Sequence, residues 1–172
     1  MPAVQVHGPG VAQVDRIAVP SPGPDDVLVA VEYCGICGSD LAYIGMGSMA
    51  GGDRPMPLGH ELSGVVVETG SRVSATRGGD RVVVNPMANG NTIGNGGPEG
   101  ACAPLLLVRN AEKKESSLFK LPESLGMEEG ALVEPLAVGM HVAKQGKARA
   151  GDRAVIMGAG PIGLCTLLVL RH

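Results

Sequence analysis

Residues 27–40 of this 172-residue chain read Val-Leu-Val-Ala-Val-Glu-Tyr-Cys-Gly-Ile-Cys-Gly-Ser-Asp. The first five residues are rich in β-branched side chains and follow a turn-rich segment, residues 20–26, which is typical of a strand. Two cysteines, a serine and an aspartate come directly after it. The stretch therefore predicts a strand that carries candidate metal-ligating or redox-active thiols at its end.

Similar apolar runs bounded by turn residues recur as far as residue 110. They are residues 64–68, Arg81–Val84 and Leu105–Val108. Their spacing of roughly ten residues predicts an all-β barrel or sandwich. Residues 85–100 are dominated by Gly and Asn, so we predict a surface loop there.

The pattern changes near residue 123. Apolar residues at helical spacing predict helix over residues 123–146, with Pro135 starting a second helical piece. Residues 153–157 then have the pattern of a buried strand, and residues 164–171 that of a helix.

The turn between this strand and helix reads Gly158-Ala-Gly-Pro-Ile-Gly163. A strand, a glycine turn and a helix in this order predict the opening of a dinucleotide-binding unit, in which backbone N–H groups meet a pyrophosphate. The acidic residue that binds the ribose is expected about 20 residues further on. That position would lie beyond His172.

Composition limits the class of protein. Hydrophobic residues make up 44% of the chain and charged residues 18%, which is typical of a globular fold rather than a disordered chain. The net charge of −3 offers no basic surface for nucleic acid, and the apolar runs are too short to span a membrane. No signal-peptide pattern is present, so we expect a cytoplasmic protein whose four cysteines are free thiols or metal ligands. With two Tyr, one Phe and no Trp, the core must be aliphatic.

Cys37, His60 and Glu61 are candidate zinc ligands. Thiolate, imidazole and carboxylate groups bind zinc, and a catalytic site uses three protein ligands and an open position. His60 and Glu61 can face one ion only if the backbone turns, and the preceding Gly59 makes such a turn possible. Spacing alone nevertheless favours packing and surface roles for these residues over a metal site.

Cys34 and Cys37 form a C-x-x-C pair, a pattern also found in zinc ribbons and thioredoxin-like redox sites. A ribbon needs a second close pair, whereas Cys102 and Cys165 are isolated from each other. A redox pair belongs at a helix N-terminus in a βαβ unit, but this pair follows a strand. We therefore interpret Cys34 as a small buried hydrophobic residue and keep the redox pair as the weaker alternative.

Five motifs occur in a characteristic order. They are Gly35-Ile-Cys-Gly-Ser-Asp40, Gly59-His-Glu-x-x-Gly64, Gly79-Asp-Arg-Val82, Glu134-Pro-Leu-Ala-Val138 and Gly158-x-Gly-x-x-Gly163. Together they resemble the zinc-dependent medium-chain dehydrogenases, most closely the polyol branch of sorbitol, xylitol, butanediol and L-idonate dehydrogenases. The resemblance implies a β-rich α+β GroES-like barrel over residues 1–150, which carries the catalytic zinc. It also implies that residues 151–172 are the first strand and helix of a truncated Rossmann domain for NAD(P).

The resemblance implies a ligand set, and it favours a metal site over the packing and surface roles that spacing alone suggests. Cys37, His60 and Glu61 are similar to the three zinc ligands of the polyol branch. Glu134 occupies the place where classical alcohol dehydrogenases have a cysteine ligand, so it is expected to bind zinc directly or through a water. Residues 87–100, where many family members carry a four-cysteine lobe, contain no cysteine, so we expect one catalytic zinc and no structural zinc.

Further roles follow from the same resemblance. Ser39 is similar to the start of a proton relay, Asp40 to a residue that orients His60, and Tyr43 to a residue of the substrate pocket. The implied cofactor-binding residues are Gly158, Gly160, Pro161, Ile162 and Gly163.

The implied activity is the oxidation of a polyol or secondary alcohol to the ketone, with hydride transfer to NAD or NADP. A zinc-free reductase of the same superfamily should lack Cys37 and the His60–Glu61 pair, which this chain has. The chain stops one helix into the Rossmann domain, so we interpret it as truncated and do not expect full activity from it alone. The alternative is a non-catalytic metal-binding or oligomerisation fragment. The implied partners are a small-molecule alcohol and further copies in a dimer or tetramer, with no nucleic acid or membrane partner.

Overall fold

The structure is a computed structural model that describes residues 1–49 and 55–172. Its strands are β1 (Pro2–Gly8), β2 (Val11–Arg16), β3 (Val27–Gly35), β4 (Met56–Pro57), β5 (Glu61–Thr69), β6 (Arg81–Val84), β7 (Leu105–Val108) and β8 (Leu118–Lys120). Its helices are α1 (Gly38–Met46), α2 (Met127–Ala131), α3 (Val133–Gln145) and α4 (Pro161–Arg171). Each strand that the sequence predicted before residue 110 is present. Helix α1, which starts directly after Cys37, was not predicted.

The strands form two antiparallel sheets. The larger sheet has the order β7-β3-β5-β6-β8 and the smaller one the order β2-β1-β4. Neighbouring antiparallel strands need only short connections, which agrees with the many glycine- and proline-containing turns. The two sheets share no strand within the described residues, so the barrel expected from the sequence is not closed there.

The main core is aliphatic, as its composition predicted. Inward-facing positions alternate along the strands, as at Val27 and Val29 of β3 and at Val82 and Val84 of β6. Burying a side chain of this size stabilises a fold by roughly 1.5–3 kcal/mol. The one phenylalanine, Phe119, is 52% exposed and lies outside this core.

The segment of residues 85–100 is more buried than its composition predicted. It is irregular apart from a single 3-10 turn, yet Ile93 belongs to the main core. The side chain of Asn91 is buried and donates hydrogen bonds to the carbonyl oxygens of Ala88 and Arg109, both at 2.8 Å. The segment is a loop, as predicted, but it is not confined to the surface, because these hydrogen bonds satisfy polar groups inside the fold.

The helical region of residues 123–146 breaks at Leu132, between α2 and α3. Pro135 lies in the first turn of α3 rather than at its start. N–H groups in the first turn have no partner within the helix, so the N–H that proline lacks costs no helical hydrogen bond. The buried Ser63 of β5 donates a hydrogen bond to the carbonyl oxygen of Met127. This contact ties α2 to the larger sheet and thereby positions the start of α3.

Helix α4 of the expected dinucleotide-binding unit is present and packs on α3. A Cβ at Gly139 would lie 2.8–2.9 Å from the backbone of Cys165 and Thr166, so this glycine permits the close approach of the two helices. Residues 153–157 are not a strand: no described strand pairs with them, and Met157 is 97% exposed. An extended segment needs a hydrogen-bonded neighbour to become part of a sheet. Among the residues described, no helix combines the length and apolar character needed to cross a membrane.

Candidate metal centre

The side chains of Cys37, His60 and Glu61 converge on one point. One ligand atom from each residue lies within 4.8 Å of the ligand atoms of the other two. His60 and Glu61 are only 5% and 7% exposed, and Cys37 is half-buried. Thiolate, imidazole and carboxylate together are a donor set that suits zinc with one open position. The structure thus brings together the three predicted ligands, although Cys37 lies far from the other two along the chain.

Two glycines shape the backbone around this group. Gly59 has φ +90°, a left-handed conformation that favours glycine, so the turn expected before His60 is present. Gly35, the last residue of β3, pairs with Glu61 at the start of β5. A Cβ at Gly35 would collide with the Glu61 carboxylate, so the glycine leaves room for that side chain.

Asp40 joins the two chain segments that carry the candidate ligands. Its buried carboxylate accepts one hydrogen bond from the backbone N–H of Cys37, at 2.9 Å, and another from that of Gly59, at 3.2 Å. The predicted contact with His60 is different in kind: Asp40 Oδ1 lies 3.8 Å from Nδ1 of His60, beyond hydrogen-bond length. Asp40 therefore positions the backbone of both segments.

His60 Nδ1 is buried and has no hydrogen-bond partner among the described residues. Buried polar atoms are nearly always satisfied, and unsatisfied ones concentrate where an ion or water belongs. This unsatisfied nitrogen and the donor set of Cys37 and Glu61 fit a metal ion at this position.

Glu134 lies in the first turn of α3, near the group but outside it. Its side chain is half-buried, and burial raises the pKa of its carboxyl group. The nearby His60 opposes that rise in pKa, while the Glu61 carboxylate adds to it. Glu134 also lines a cavity of about 420 Å³ together with His141. His141 is exposed.

A larger cavity, of about 800 Å³, connects the metal group with the glycine turn. Cys37, Ser39 and Glu61 form one part of its wall. The other part includes the predicted cofactor residues Gly158, Gly160, Pro161, Ile162 and Gly163. The fold thus opens the two predicted sites into one space.

The glycine turn leads directly into the N-terminus of α4. Gly158 has φ +109°, and a Cβ at Gly163 would collide with the Gly158 carbonyl oxygen. Gly160 precedes α4 with φ −74°, and a Cβ there would meet no atom within 4 Å. Pro161 occupies the first turn of α4, where a helix has no partner for an N–H group. The open N-terminus of this 11-residue helix favours a phosphate group.

Tyr43 lies apart from the large cavity. It is not among the residues that line that space, and its hydroxyl group donates a hydrogen bond to Asn95 Oδ1 at 3.1 Å. Its ring packs against the smaller core cluster of Val6, Met56 and Leu58.

Cys34 and Cys102 form a pair that sequence reasoning missed. Their sulfur atoms lie 4.0 Å apart, and both residues are half-buried. The hydrogen bond between the thiols and burial raise the pKa of Cys34, whereas the same hydrogen bond lowers the pKa of Cys102. The C-x-x-C pattern links Cys34 with Cys37 and does not connect it with Cys102. No local signal could have found the pair, because 67 residues separate its members.

Comparison with known proteins agrees with this geometry. Residues 23–141 match the family model of the alcohol dehydrogenase GroES-like domain, so the chain belongs to that family. Human sorbitol dehydrogenase is 37% identical over 180 residues, which cover 96% of this chain and 50% of the human protein. The resemblance to the polyol branch of the medium-chain dehydrogenases is thereby confirmed.

Comparison with solved structures also identifies dehydrogenases. The crystal structure of 2R,3R-butanediol dehydrogenase from Bacillus subtilis matches with a TM-score of 0.83 and 34% identity, over 99% of this chain and 54% of that chain. A short chain alcohol dehydrogenase from Escherichia coli CFT073, complexed with NADH, matches with a TM-score of 0.85 and 26% identity, over 99% and 53%. The chain spans about half the length of the relatives that it matches.

Proposed function

We propose that this chain carries the zinc site of an NAD(P)-dependent dehydrogenase that oxidises a polyol or secondary alcohol to the ketone. One observation carries the proposal: Cys37 and Glu61, two of the three residues that converge on one point with His60, line the same cavity as the glycine turn. A hydroxyl group held at the first and a nicotinamide held through the second would meet in that space. Similarity to sorbitol and butanediol dehydrogenases supports the class of substrate.

In this proposal Cys37, His60 and Glu61 hold one zinc ion per chain, and no second, structural zinc is bound. When bound, zinc supplies Lewis-acid polarisation of the substrate hydroxyl group, and the nicotinamide accepts the hydride. We assign Glu134 to a contact through water, because it lies outside the group of three ligand atoms. Burial raises the pKa of its carboxyl group above the ordinary value.

Ser39 is proposed to move the substrate proton. Its side chain is half-buried and lines the large cavity beside Cys37, so Ser39 Oγ can take a proton from a hydroxyl group there and pass it outward. A substrate-pocket role for Tyr43 rests on the resemblance alone, since its hydroxyl group is bonded to Asn95.

The proposed domain division places the zinc-binding unit in residues 1–150 and the start of the cofactor-binding unit in residues 151–172. Gly158, Gly160, Pro161, Ile162 and Gly163 would cradle the pyrophosphate of NAD or NADP at the N-terminus of α4. We also propose a cytoplasmic homo-oligomer, a dimer or tetramer. Exposed apolar side chains on α3 and α4, such as Met140 and Leu168, support association with further protein surface.

The test combines metal analysis with an oxidation panel. The purified chain is loaded with zinc or with Co²⁺, whose thiolate-to-metal absorbance reports ligation by cysteine. Sorbitol, xylitol, butanediol and L-idonate are then offered with NAD or NADP, and reduced nicotinamide is followed by absorbance. We expect one metal ion per chain, thiolate absorbance and weak turnover of at least one alcohol, below that of an enzyme with a complete cofactor-binding domain.

Each part of the result has a separate meaning. A metal ion with thiolate absorbance but no turnover would favour the alternative of a non-catalytic metal-binding fragment. A chain that binds no zinc would contradict the proposed function altogether. Cys165→Ser is the matched control for substitution of the candidate ligand Cys37. Cys165 lies on α4 and is not one of the ligand group.

A further inference from the structure

The thiols of Cys34 and Cys102 lie beneath the turn that carries His60. A Cβ at Gly59 would lie 2.7 Å from the sulfur of Cys102 and 2.8 Å from that of Cys34, so the backbone of Gly59 packs directly on both sulfur atoms. The proposed catalytic site uses neither thiol, because the ligand group takes its sulfur from Cys37.

We propose that Cys34 and Cys102 are a modification site, an oxidisable thiol pair that forms a disulfide and thereby controls the neighbouring metal site. Their sulfur atoms are 4.0 Å apart, and a disulfide bond of about 2.05 Å requires a closure of about 2 Å. Side-chain rotation can supply such a movement. The redox partner of Cys34 is thus Cys102, rather than Cys37 as the C-x-x-C pattern suggested.

The oxidant is a small-molecule disulfide. One thiolate attacks it, forms a mixed disulfide with one half of the reagent and releases the other half as a thiol; the second cysteine then displaces the remaining half. In sum, two S–H bonds break, one S–S bond forms in the protein, and the reagent leaves as two thiols that carry both protons and both electrons. Both cysteines are half-buried, so a small uncharged reagent suits the site.

The disulfide would act on the metal site through the backbone. The N–H of Cys102 donates to the carbonyl oxygen of Leu58, and the N–H of Ala101 donates to that of Gly59, both at 2.9 Å. Any displacement of Cys102 is therefore transmitted to the residues directly before His60. Displaced supporting contacts lower metal affinity by roughly 10–100-fold in other sites. This consequence rests on the proposed function, whereas formation of the disulfide does not.

Peptide mapping tests the disulfide itself. The reduced full chain is treated with 2-hydroxyethyl disulfide, alkylated and digested with trypsin without reduction. Cleavage leaves Cys34 and Cys37 together in residues 17–72, Cys102 in residues 82–109 and Cys165 in residues 154–171. We expect a cross-link between the first two peptides, which persists in Cys37→Ser and Cys165→Ser and is lost in Cys34→Ser and Cys102→Ser.

A cross-link that persists in Cys34→Ser and disappears in Cys37→Ser would overturn the assignment. So would the absence of any cross-link in the wild type and in Cys37→Ser, two proteins that need no change at the pair. The wild-type result keeps the test valid even if a variant at the pair folds poorly.

The consequence for the metal is measured by titrating zinc into reduced and oxidised protein. We expect zinc affinity to fall at least tenfold on oxidation in the wild type and to stay unchanged in oxidant-treated Cys102→Ser. Equal affinity of the two wild-type forms would show that the disulfide does not reach the metal site. A reduced protein that binds no zinc would defeat the proposed function, while the peptide map would still decide on the disulfide.

Discussion

The carboxylate of Asp40 lies 3.8 Å from Nδ1 of His60, a buried ring nitrogen without a hydrogen-bond partner among the described residues. At this distance the carboxylate accepts no hydrogen bond from the ring nitrogen. Its hydrogen bonds go to the backbone instead, to the N–H groups of Cys37 and Gly59. Asp40 is therefore a positioning residue, and its effect on the candidate metal site passes through the chain segments that it holds.

Replacement of Asp40 by Asn should weaken its hold on the two chain segments. The amide keeps the size but offers one acceptor oxygen instead of two, so one of the two backbone N–H groups loses its partner. We expect the free energy of unfolding to fall by about 1–3 kcal/mol and zinc affinity to fall by roughly 10–100-fold. Denaturant unfolding and zinc titration measure the two effects.

The matched control for this variant is Asp26→Asn. Asp26 also accepts hydrogen bonds from two backbone N–H groups, those of Gly23 and Asn110, but it is not part of the metal centre. This variant should lose stability and keep its zinc affinity. Equal loss of zinc affinity in both variants would show that the effect of Asp40 is general destabilisation.

Replacement of Cys37 by Ser should remove the metal while leaving the fold intact. A serine hydroxyl group is a far weaker zinc ligand than a thiolate, and the remaining imidazole and carboxylate are too few for a stable site. We expect bound zinc to fall from about one ion per chain to near zero. Metal analysis after dialysis measures this, with circular dichroism as the test of folding. Retention of zinc would mean that the ion is held elsewhere.

The glycines of the turn before α4 should differ in their effects. Alanine at Gly163 collides with the Gly158 carbonyl oxygen, so Gly163→Ala should destabilise the fold by about 1–3 kcal/mol and weaken cofactor binding as well. Alanine at Gly160 meets no protein atom, so Gly160→Ala should leave the free energy of unfolding unchanged. Its methyl group would nevertheless occupy the space proposed for the pyrophosphate and weaken NAD(P) binding. Thermal unfolding measures the loss of stability in each variant, and calorimetric titration with NAD and NADP measures the loss of cofactor binding. An equal loss of stability in Gly163→Ala and Gly160→Ala would contradict this geometry.

Glu112 should give the protein a pH-dependent contribution to stability. Burial alone would raise the pKa of its carboxyl group, but hydrogen bonds from the backbone N–H groups of Ser74 and Ala75 lower it below the ordinary value of 4.5. A lowered pKa means that the unfolded chain binds more protons in this pH range. The contribution is therefore fully present above pH 4.5 and is lost as the pH falls through the lowered pKa.

Glu112→Gln should accordingly cost about 1–2 kcal/mol at pH 7, and the difference from the wild type should shrink below pH 4.5. Denaturant unfolding from pH 3 to pH 7 measures it. Glu115→Gln removes the same charge from an exposed side chain and should change the free energy of unfolding by less than about 0.5 kcal/mol. A constant difference at all pH values would contradict the assigned role of the carboxylate.

Several elements could be predicted from the sequence because their signals are local. The strands Arg81–Val84 and Leu105–Val108 agree with the predicted bounds, since both apolar runs are bounded by turn residues. Helix α1 was missed because it is short and follows directly on a strand. Residues 153–157 have the composition of a strand, but a strand also requires a neighbour, and none is present among the described residues.

The sequence by itself determined the chemistry of the candidate site. Single motifs show the metal-ligating residue types of Cys37, His60 and Glu61. They also show the glycine before the His-Glu pair and the glycine turn. These features can be predicted because the type of ligand and the backbone freedom of glycine are properties of individual residues. Only the tertiary structure decided which groups meet. It brought Cys37 to His60 through the hydrogen bonds of Asp40, opened the metal group and the glycine turn into one cavity, and set Cys34 beside Cys102. The physical reason is that these contacts join distant parts of the chain, and their geometry depends on how two sheets and two helices pack.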